Sequence, residues 1–192
     1  MAHINLAKKN TNQVRIIGGV HRGRRLPFAD LPGVRPSGDR VRETLFNWLQ
    51  PMIQGARCLD LFAGSGVLGL EAASRGAGEV VMLDSAPQVI CQLEANKRLL
   101  GLEQLRLQQG DALQWLEQTD VKPFDLVFLD PPFGANLLGP VCHKLAAKGW
   151  LAEGARIYLE QEAARALPEL PDPWVLLKQK RAGQVRFALV RG

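Results

Sequence analysis

Four residues at the end of one apolar run carry the densest chemistry in the chain. Phe124-Asp125-Leu126-Val127-Phe128-Leu129 reads as a buried strand, and it closes on Asp130-Pro131-Pro132-Phe133. At the least, two prolines end the strand, because they cannot continue a ladder. They also fix the backbone, so the Asp130 carboxylate and the Pro131 carbonyl can point rigidly into a cleft while Phe133 offers a flat face. Two acceptors and a ring suit a planar base with an exocyclic NH2, one acceptor for each hydrogen. The lone pair of such an amine is delocalised into the ring, which makes it a poor nucleophile. Hydrogen bonds from its protons to fixed acceptors favour the pyramidal nitrogen of an in-line displacement.

A second constellation is Asp60-Leu61-Phe62-Ala63-Gly64-Ser65-Gly66-Val67-Leu68-Gly69. Its glycines let the backbone turn sharply and let a nucleotide-type ligand approach a helix N-terminus. Gly64, Gly66 and Gly69 satisfy G-x-G-x-x-G, and Asp84 lies twenty residues beyond Gly64, where an acid can grip a ribose. A dinucleotide-binding oxidoreductase fits that much, and so does a purely structural turn. Asp60 separates the readings: an acid just before the loop would repel a pyrophosphate but suits a ligand carrying an amino group and a sulfonium.

Asp60-x-x-x-Gly64-x-Gly66 resembles the first motif of class I S-adenosylmethionine-dependent methyltransferases, and Asp130 to Phe133 resembles the (Asp/Asn)-Pro-Pro-(Tyr/Phe) motif of amino-methyltransferases. The resemblance implies that Asp84 binds the ribose hydroxyls and that Asp111, in Gly110-Asp111-Ala112, approaches the adenine amine. Phe62, Ala63, Gly64, Gly66, Ser85 and Ala112 complete the expected cofactor pocket. Adenine N6, cytosine N4, guanine N2 and a protein glutamine amide all remain open as the amine.

The elements that must position these residues alternate. Strands are expected at Arg57 to Phe62, Glu79 to Asp84, Gln104 to Gln108, Phe124 to Asp130 and Ala155 to Glu160, with helices near Val67 to Arg75, Pro87 to Leu100, Ala112 to Gln118 and Ala135 to Trp150. Such alternation predicts a Rossmann-like α/β fold with a mainly parallel sheet covered on both faces. Trp174 to Lys180 and Gln184 to Arg191 read as an antiparallel C-terminal hairpin that completes seven strands. Upstream, a polar, disordered tail is expected over residues 1–13. A small basic β-hairpin with a Gly- and Arg-rich turn follows, then a helix running to about Gln50 and capped by Ser37 or Asp39. The division is thus 1–13 tail, 14–50 hairpin and covering helix, and 51–192 catalytic domain.

The 192 residues suffice for one well-filled domain with a small appendage. No run approaches the roughly 18 apolar residues that span a bilayer, and the polar N-terminus lacks an apolar signal core, so a cytoplasmic protein is expected. Three scattered cysteines and three scattered histidines predict neither a disulfide framework nor a metal cofactor. Residues 1–42 hold nine basic side chains against Asp30 and Asp39, or +7 of a net +5, leaving −2 for the other 150 residues. Seven of the nine are Arg, the better phosphate fork, so contact with a polyanion through the hairpin's Arg15, Arg22, Arg24 and Arg25 is expected. A solvated basic arm is the plainer alternative. A chain this short has no room for a separate DNA-recognition domain, which favours a substrate that supplies its own shape, such as folded RNA.

Four ordered motifs extend the resemblance to nearly the whole chain. Arg15-Ile16-Ile17-Gly18-Gly19 with Gly23-Arg24-Arg25-Leu26, Arg35-Pro36-Ser37 with Arg40-Val41-Arg42-Glu43 and Leu45-Phe46-Asn47, Leu59 to Gly66, and Asp130 to Phe133 are similar to the bacterial RsmD family. That family methylates a guanine N2 of 16S rRNA in small-subunit particles. The resemblance implies S-adenosylmethionine as cofactor, a cofactor pocket formed partly by Arg35 and Ser37, and rRNA contact by the Arg-bearing hairpin; a monomer is expected. Ser37 stands where the family more often has Thr, which keeps the hydroxyl. A DNA adenine-N6 methyltransferase and a non-catalytic RNA-binding assembly factor are the competing readings.

Overall fold

The computed structural model describes residues 12–118 and 122–192. Strands β1 (Gln13–Arg15) and β2 (Arg25–Pro27) pair antiparallel, with Val14 opposite Leu26 and Arg15 opposite Arg25. After helix α1 (Asp39–Leu49) come β3 (Arg57–Asp60), α2 (Val67–Ser74), β4 (Glu79–Asp84), α3 (Pro87–Leu100), β5 (Leu105–Gln109), α4 (Ala112–Trp115), β6 (Phe124–Leu129), α5 (Leu138–Ala147) and β7 (Leu151–Glu162). The hairpin β8 (Val175–Ala182) and β9 (Val185–Arg191) ends the chain. The main sheet has the order β5-β4-β3-β6-β7-β9-β8, parallel through β7, with β9 antiparallel between β7 and β8.

Strand alternation divides the core in two. Cys58, Met82, Leu126, Phe128 and Tyr158 face α1, α2, α3 and the hairpin, while Leu59, Val81, Val127, Leu129 and Ile157 face α4 and α5. Both faces are therefore dry, which is why the central strands read as continuous apolar runs. From β3 the chain winds outward to β5, then returns to β6 on the other side. The helices that follow β3 and β6 leave to opposite faces, so a crevice opens outside the C-terminal ends of these two strands.

The hairpin shares this core. Val14, Ile16 and Leu26 are buried with residues of α1, α2 and α3, and Asn96 of α3 donates to the Pro27 carbonyl at 2.8 Å. Its turn meets the C-terminal end of α2, where Val20 N–H donates to the Ser74 carbonyl at 2.8 Å. Gly19 has φ +73, and a Cβ there would lie 1.8 Å from the Ser74 carbonyl oxygen, so the close approach requires glycine. Residues 1–11 of the expected tail lie outside the described residues. Asn12 and Gln13 are engaged: Asn12 donates to Asp30 at 2.8 Å, and Gln13 pairs with Pro27.

Several boundaries differ from expectation. Helix α5 starts at Leu138 rather than Ala135, because Gly134 (φ 84) and Asn136 (φ 54) are left-handed. Helix α4 is a single turn, and β7 begins earlier, at Leu151, with an irregularity between Phe124 and Leu126 of its partner strand. The N-cap of α1 is Gly38, with no side-chain cap, rather than Ser37 or Asp39. Both side chains are committed elsewhere: Ser37 bonds Asp130, and Asp39 pairs with Arg15 and Arg42.

Candidate active site

Side chains two apart on a strand share a face. Asp60 follows Cys58, Asp130 follows Phe128 and Glu160 follows Tyr158, so all three acids turn toward the face covered by α1, α2 and α3. The ladder aligns Asp60 with Phe128 and Phe128 with Tyr158, which sets Asp130 and Glu160 one pleat further along two neighbouring strands. Three carboxyls thus converge at the crevice.

Asp60 is fully buried, and its Oδ2 accepts from Gly69 N–H at 3.0 Å. Its Oδ1 is buried with no partner among the described residues. Burial, opposed by the Gly69 bond, pushes this carboxyl up to about 7. Asp84 closes the glycine loop, its Oδ2 accepting from Gly64 N–H at 2.8 Å and its Oδ1 from Ala86 N–H at 2.9 Å. Gly66 is left-handed at φ 77, and a Cβ there would lie 2.2 Å from the Leu93 side chain, so glycine is needed for the loop to enter α2. Asp111 is exposed and caps α4, accepting from Gln114 N–H at 2.9 Å. The bond from Gly110 N–H to the Asp84 carbonyl, 3.0 Å, sets Asp111 beside the Asp84 strand end.

Asp130 is half-buried, and Ser37 Oγ donates to its Oδ2 at 3.1 Å. Burial and the neighbouring Glu160 anion raise the Asp130 carboxyl well above the usual range. Pro131 is buried, and Phe133 stands 47% exposed, as a ring waiting for a partner would. Beyond it opens a cleft of about 290 Å³ lined by Pro132, Phe133, Asn136, Gln161 and Arg165.

Among the expected cofactor residues, Asp60, Phe62, Ala63, Gly64, Gly66, Asp84, Ser85, Asp111 and Ala112 lie at the ends of β3, β4 and β5 or just beyond. Ser37 joins Asp130 rather than this group, and Arg35 is exposed in the loop before it. Of the basic residues, Arg22, Arg24 and Arg25 are exposed on the hairpin, whereas Arg15 is held by Asp39 at 2.6 Å. Among the described residues there is no group of three or more metal-capable side chains, and no helix is long and apolar enough to cross a membrane.

Two features escaped the sequence reading. Arg42, counted there among the arm's cations, is buried: it donates to the Ser37 carbonyl at 3.0 Å and the Arg15 carbonyl at 2.9 Å, and pairs with Asp39 and with the wholly buried Glu71. Glu71 in turn accepts from Ile17 N–H at 2.9 Å and pairs with Arg75 at 2.7 Å, so one ionic network joins hairpin, α1 and α2. The other is Glu160, 3% exposed, whose Oε2 accepts from Tyr158 at 2.5 Å. Its signal was available, since the strand expected at Ala155 to Glu160 closes on an acid, as the one expected at Phe124 to Asp130 does.

The family described as Conserved hypothetical protein 95 matches residues 14–191. Ribosomal RNA small subunit methyltransferase D of Escherichia coli K12 is 48% identical over 179 residues, covering 93% of this chain and 90% of that protein. The chain belongs to the RsmD family. The Haemophilus influenzae protein of the same name is 46% identical, covering 92% of this chain and 93% of its own length. The solved structure of yhhF from Escherichia coli matches with a TM-score of 0.88 at 46% identity, covering 94% of this chain and 98% of that one. The family's fold is that of class I methyltransferases, as the mainly parallel seven-stranded sheet with its antiparallel hairpin requires.

Proposed function

We propose that the chain transfers a methyl group from S-adenosylmethionine to the exocyclic N2 amine of a guanine in 16S rRNA, within an assembled small ribosomal subunit. The carrying observation is the placement of Asp130, tied to Ser37, on the same sheet face as Asp60 with its unpartnered Oδ1. The family's rRNA methyltransferase relatives support the choice of substrate class.

The residues present fit the cofactor. A buried carboxylate oxygen without a donor is costly unless a cationic group meets it. Asp60 would hold the amino-acid end, Asp84 the ribose hydroxyls and Asp111 the adenine amine, with Phe62, Ala63, Gly64, Gly66, Ser85 and Ala112 shaping the walls and Arg35 flanking. When bound, S-adenosylmethionine supplies a methyl carbon whose bond to sulfur breaks, the sulfur keeping the electron pair, as the amine nitrogen forms its new bond. Asp130 and the Pro131 carbonyl each accept a hydrogen bond from one amine N–H and hold the nitrogen lone pair in line. Phe133 stacks the extruded base. The nitrogen then carries one proton too many, and Asp130, made more basic by burial, accepts it. Arg22, Arg24 and Arg25 contact rRNA phosphates, leaving base choice to the cleft.

The test offers purified wild-type chain labelled S-adenosylmethionine with unmodified small subunits or with duplex DNA. Label mapping to an N2-methylguanine of 16S rRNA is expected. Label on adenine N6 of the DNA would replace this reading, and failure to bind S-adenosylmethionine by calorimetry would favour a non-catalytic assembly factor.

A further inference from the structure

We propose that Arg165 is the residue that selects guanine: lining the same cleft as Phe133, its guanidinium fork donates to O6 and N7 of the base whose N2 amine Asp130 and the Pro131 carbonyl hold. This rests on the methyl-transfer reading above and deepens it, by naming what in the cleft tells guanine from other bases that carry an exocyclic amine.

The cleft begins where the Asp-Pro-Pro-Phe motif ends. Pro131 and Phe133 line it, with Asn136 before α5 and with Gln161, Glu162 and Arg165 at the end of β7 and just beyond. At about 290 Å³ it has the room of the smallest ligand sites, enough for one base. The segment that carries Arg165 is braced by the C-terminal hairpin: Ala163 N–H donates to the Gln184 carbonyl at 2.8 Å, and Arg186 donates to the Ala163 carbonyl at 2.9 Å. Within it, the Gln161 side-chain amide donates to the Ala166 carbonyl at 2.6 Å, and Arg165 N–H to the Glu162 carbonyl at 3.1 Å. The guanidinium is then held from two sides. Its Nε lies 3.4 Å from the Glu162 carboxylate, and Nη1 donates to Asn136 Oδ1. Asn136, at φ 54, is the one non-glycine residue with a positive φ among the described residues, so an uncommon backbone conformation places that acceptor. Of the five guanidinium N–H groups, the other three have no hydrogen bond to a described residue.

Guanine fits what those donors require. With N2 at the strand end and the ring on Phe133, the edge directly across the base carries O6 and N7, two acceptors at the spacing of an arginine fork. Adenine held by its 6-amine would turn a single acceptor, N3, to that side, next to its glycosidic bond. Cytosine held by its 4-amine would turn the glycosidic nitrogen itself. Of the three bases that carry an amine, only guanine therefore sets an acceptor pair opposite it. Arg165 also differs in kind from Arg22, Arg24 and Arg25, which stand in solvent. Paired with Glu162, it offers directed donors with little net charge, which suits a base edge better than a phosphate.

The test uses small subunits reconstituted with 16S rRNA carrying either guanine or 2,6-diaminopurine at the methylated position. The analogue keeps the N2 amine and N7 but sets an NH2 donor where guanine has O6. The ratio kcat/KM on each is measured for wild type, Arg165→Ala and Arg165→Lys, with cofactor affinity and thermal melting as controls on folding. Wild type is expected to prefer guanine by about 100-fold or more, and Arg165→Ala to bring that preference below about tenfold by losing on guanine alone. Arg165→Lys, which keeps the charge without the fork, leaves the preference reduced. A preference unchanged in Arg165→Ala, whatever the absolute rates, or fully retained in Arg165→Lys, makes Arg165 a brace or a backbone contact and overturns the proposal. If wild type labels neither rRNA, the methyl-transfer reading falls, and an NMR titration still decides the cleft. Guanosine, but not 2,6-diaminopurine riboside, is expected to shift the Arg165 Nε–H resonance; no shift with guanosine overturns the proposal.

Discussion

The strand-end cleft and the basic arm hold opposite charges in opposite ways. In the cleft, Asp60, Asp130 and Glu160 are packed among apolar neighbours on one sheet face, and burial raises all three carboxyls. On the arm, Arg22, Arg24 and Arg25 stand in solvent, while Arg42 is drawn inside and spent on Asp39, Glu71 and two backbone carbonyls. Buried charge is expensive, so the cleft is a place where the fold gives up stability for chemistry. Exposed charge costs little and acts at longer range, where salt screens it. The arm's turn docks at the C-terminal end of α2, about 12 Å of helix from the glycine loop at its other end. A substrate touching both regions must be larger than a nucleotide.

The largest expected effect tests the cleft as a catalytic device. Asp130→Ala should lower methyl transfer at least about 1000-fold while leaving cofactor affinity, measured by calorimetry, within a few-fold; full activity in that variant would remove Asp130 from the chemistry. Next comes the cost of the buried acid. Because the folded chain raises Asp60 from the ordinary 3.8 to about 7, its contribution to stability is complete below about pH 4 and is lost as pH rises through 7. Asp60→Asn removes that titration. In chemical denaturation without ligand, the variant should match wild type near pH 4 and exceed it at pH 8 by up to about 4 kcal/mol. Calorimetry should show weakened cofactor binding.

The arm should behave differently. Replacing Arg22, Arg24 and Arg25 together by Ala should flatten the dependence of log affinity on log salt for small subunits by about 2 to 3, with cofactor affinity unchanged. An unaltered slope would show the arm to be a solvated face. The smallest effect is expected of Arg15→Ala, whose guanidinium is already paired with Asp39 at 2.6 Å. Its salt slope should change by well under about one contact's worth, and a change equal to the triple variant's would erase the distinction between paired and free arginines.

How much was legible depended on how local the signal was. Strand Glu79–Asp84 and helix Pro87–Leu100 read to the residue, because Pro87 at the first turn and a left-handed Gly101 at the end are punctuation written in the chain. Helix α5 read three residues too long at each end, since an apolar period that alone looks helical runs past the left-handed Gly134 and Asn136 before it and Gly149 after it. At the site, the acids that end strands could be picked out singly. Their partners could not: Ser37 lies 93 positions from Asp130, and Ile17 lies 54 from Glu71.

The sequence by itself determined the alternating elements, the glycine loop with its acids and the Asp-Pro-Pro-Phe strand ending, because each is written in neighbouring residues whose backbone preferences act locally. Only the tertiary structure decided which charges are buried and which are shared. It took Arg42 out of the arm, tied Arg15 to Asp39, joined Ser37 to Asp130 and set Glu160 on the strand beside it. Burial and strand order are properties of the packed sheet, in which parallel neighbours come from distant stretches of chain.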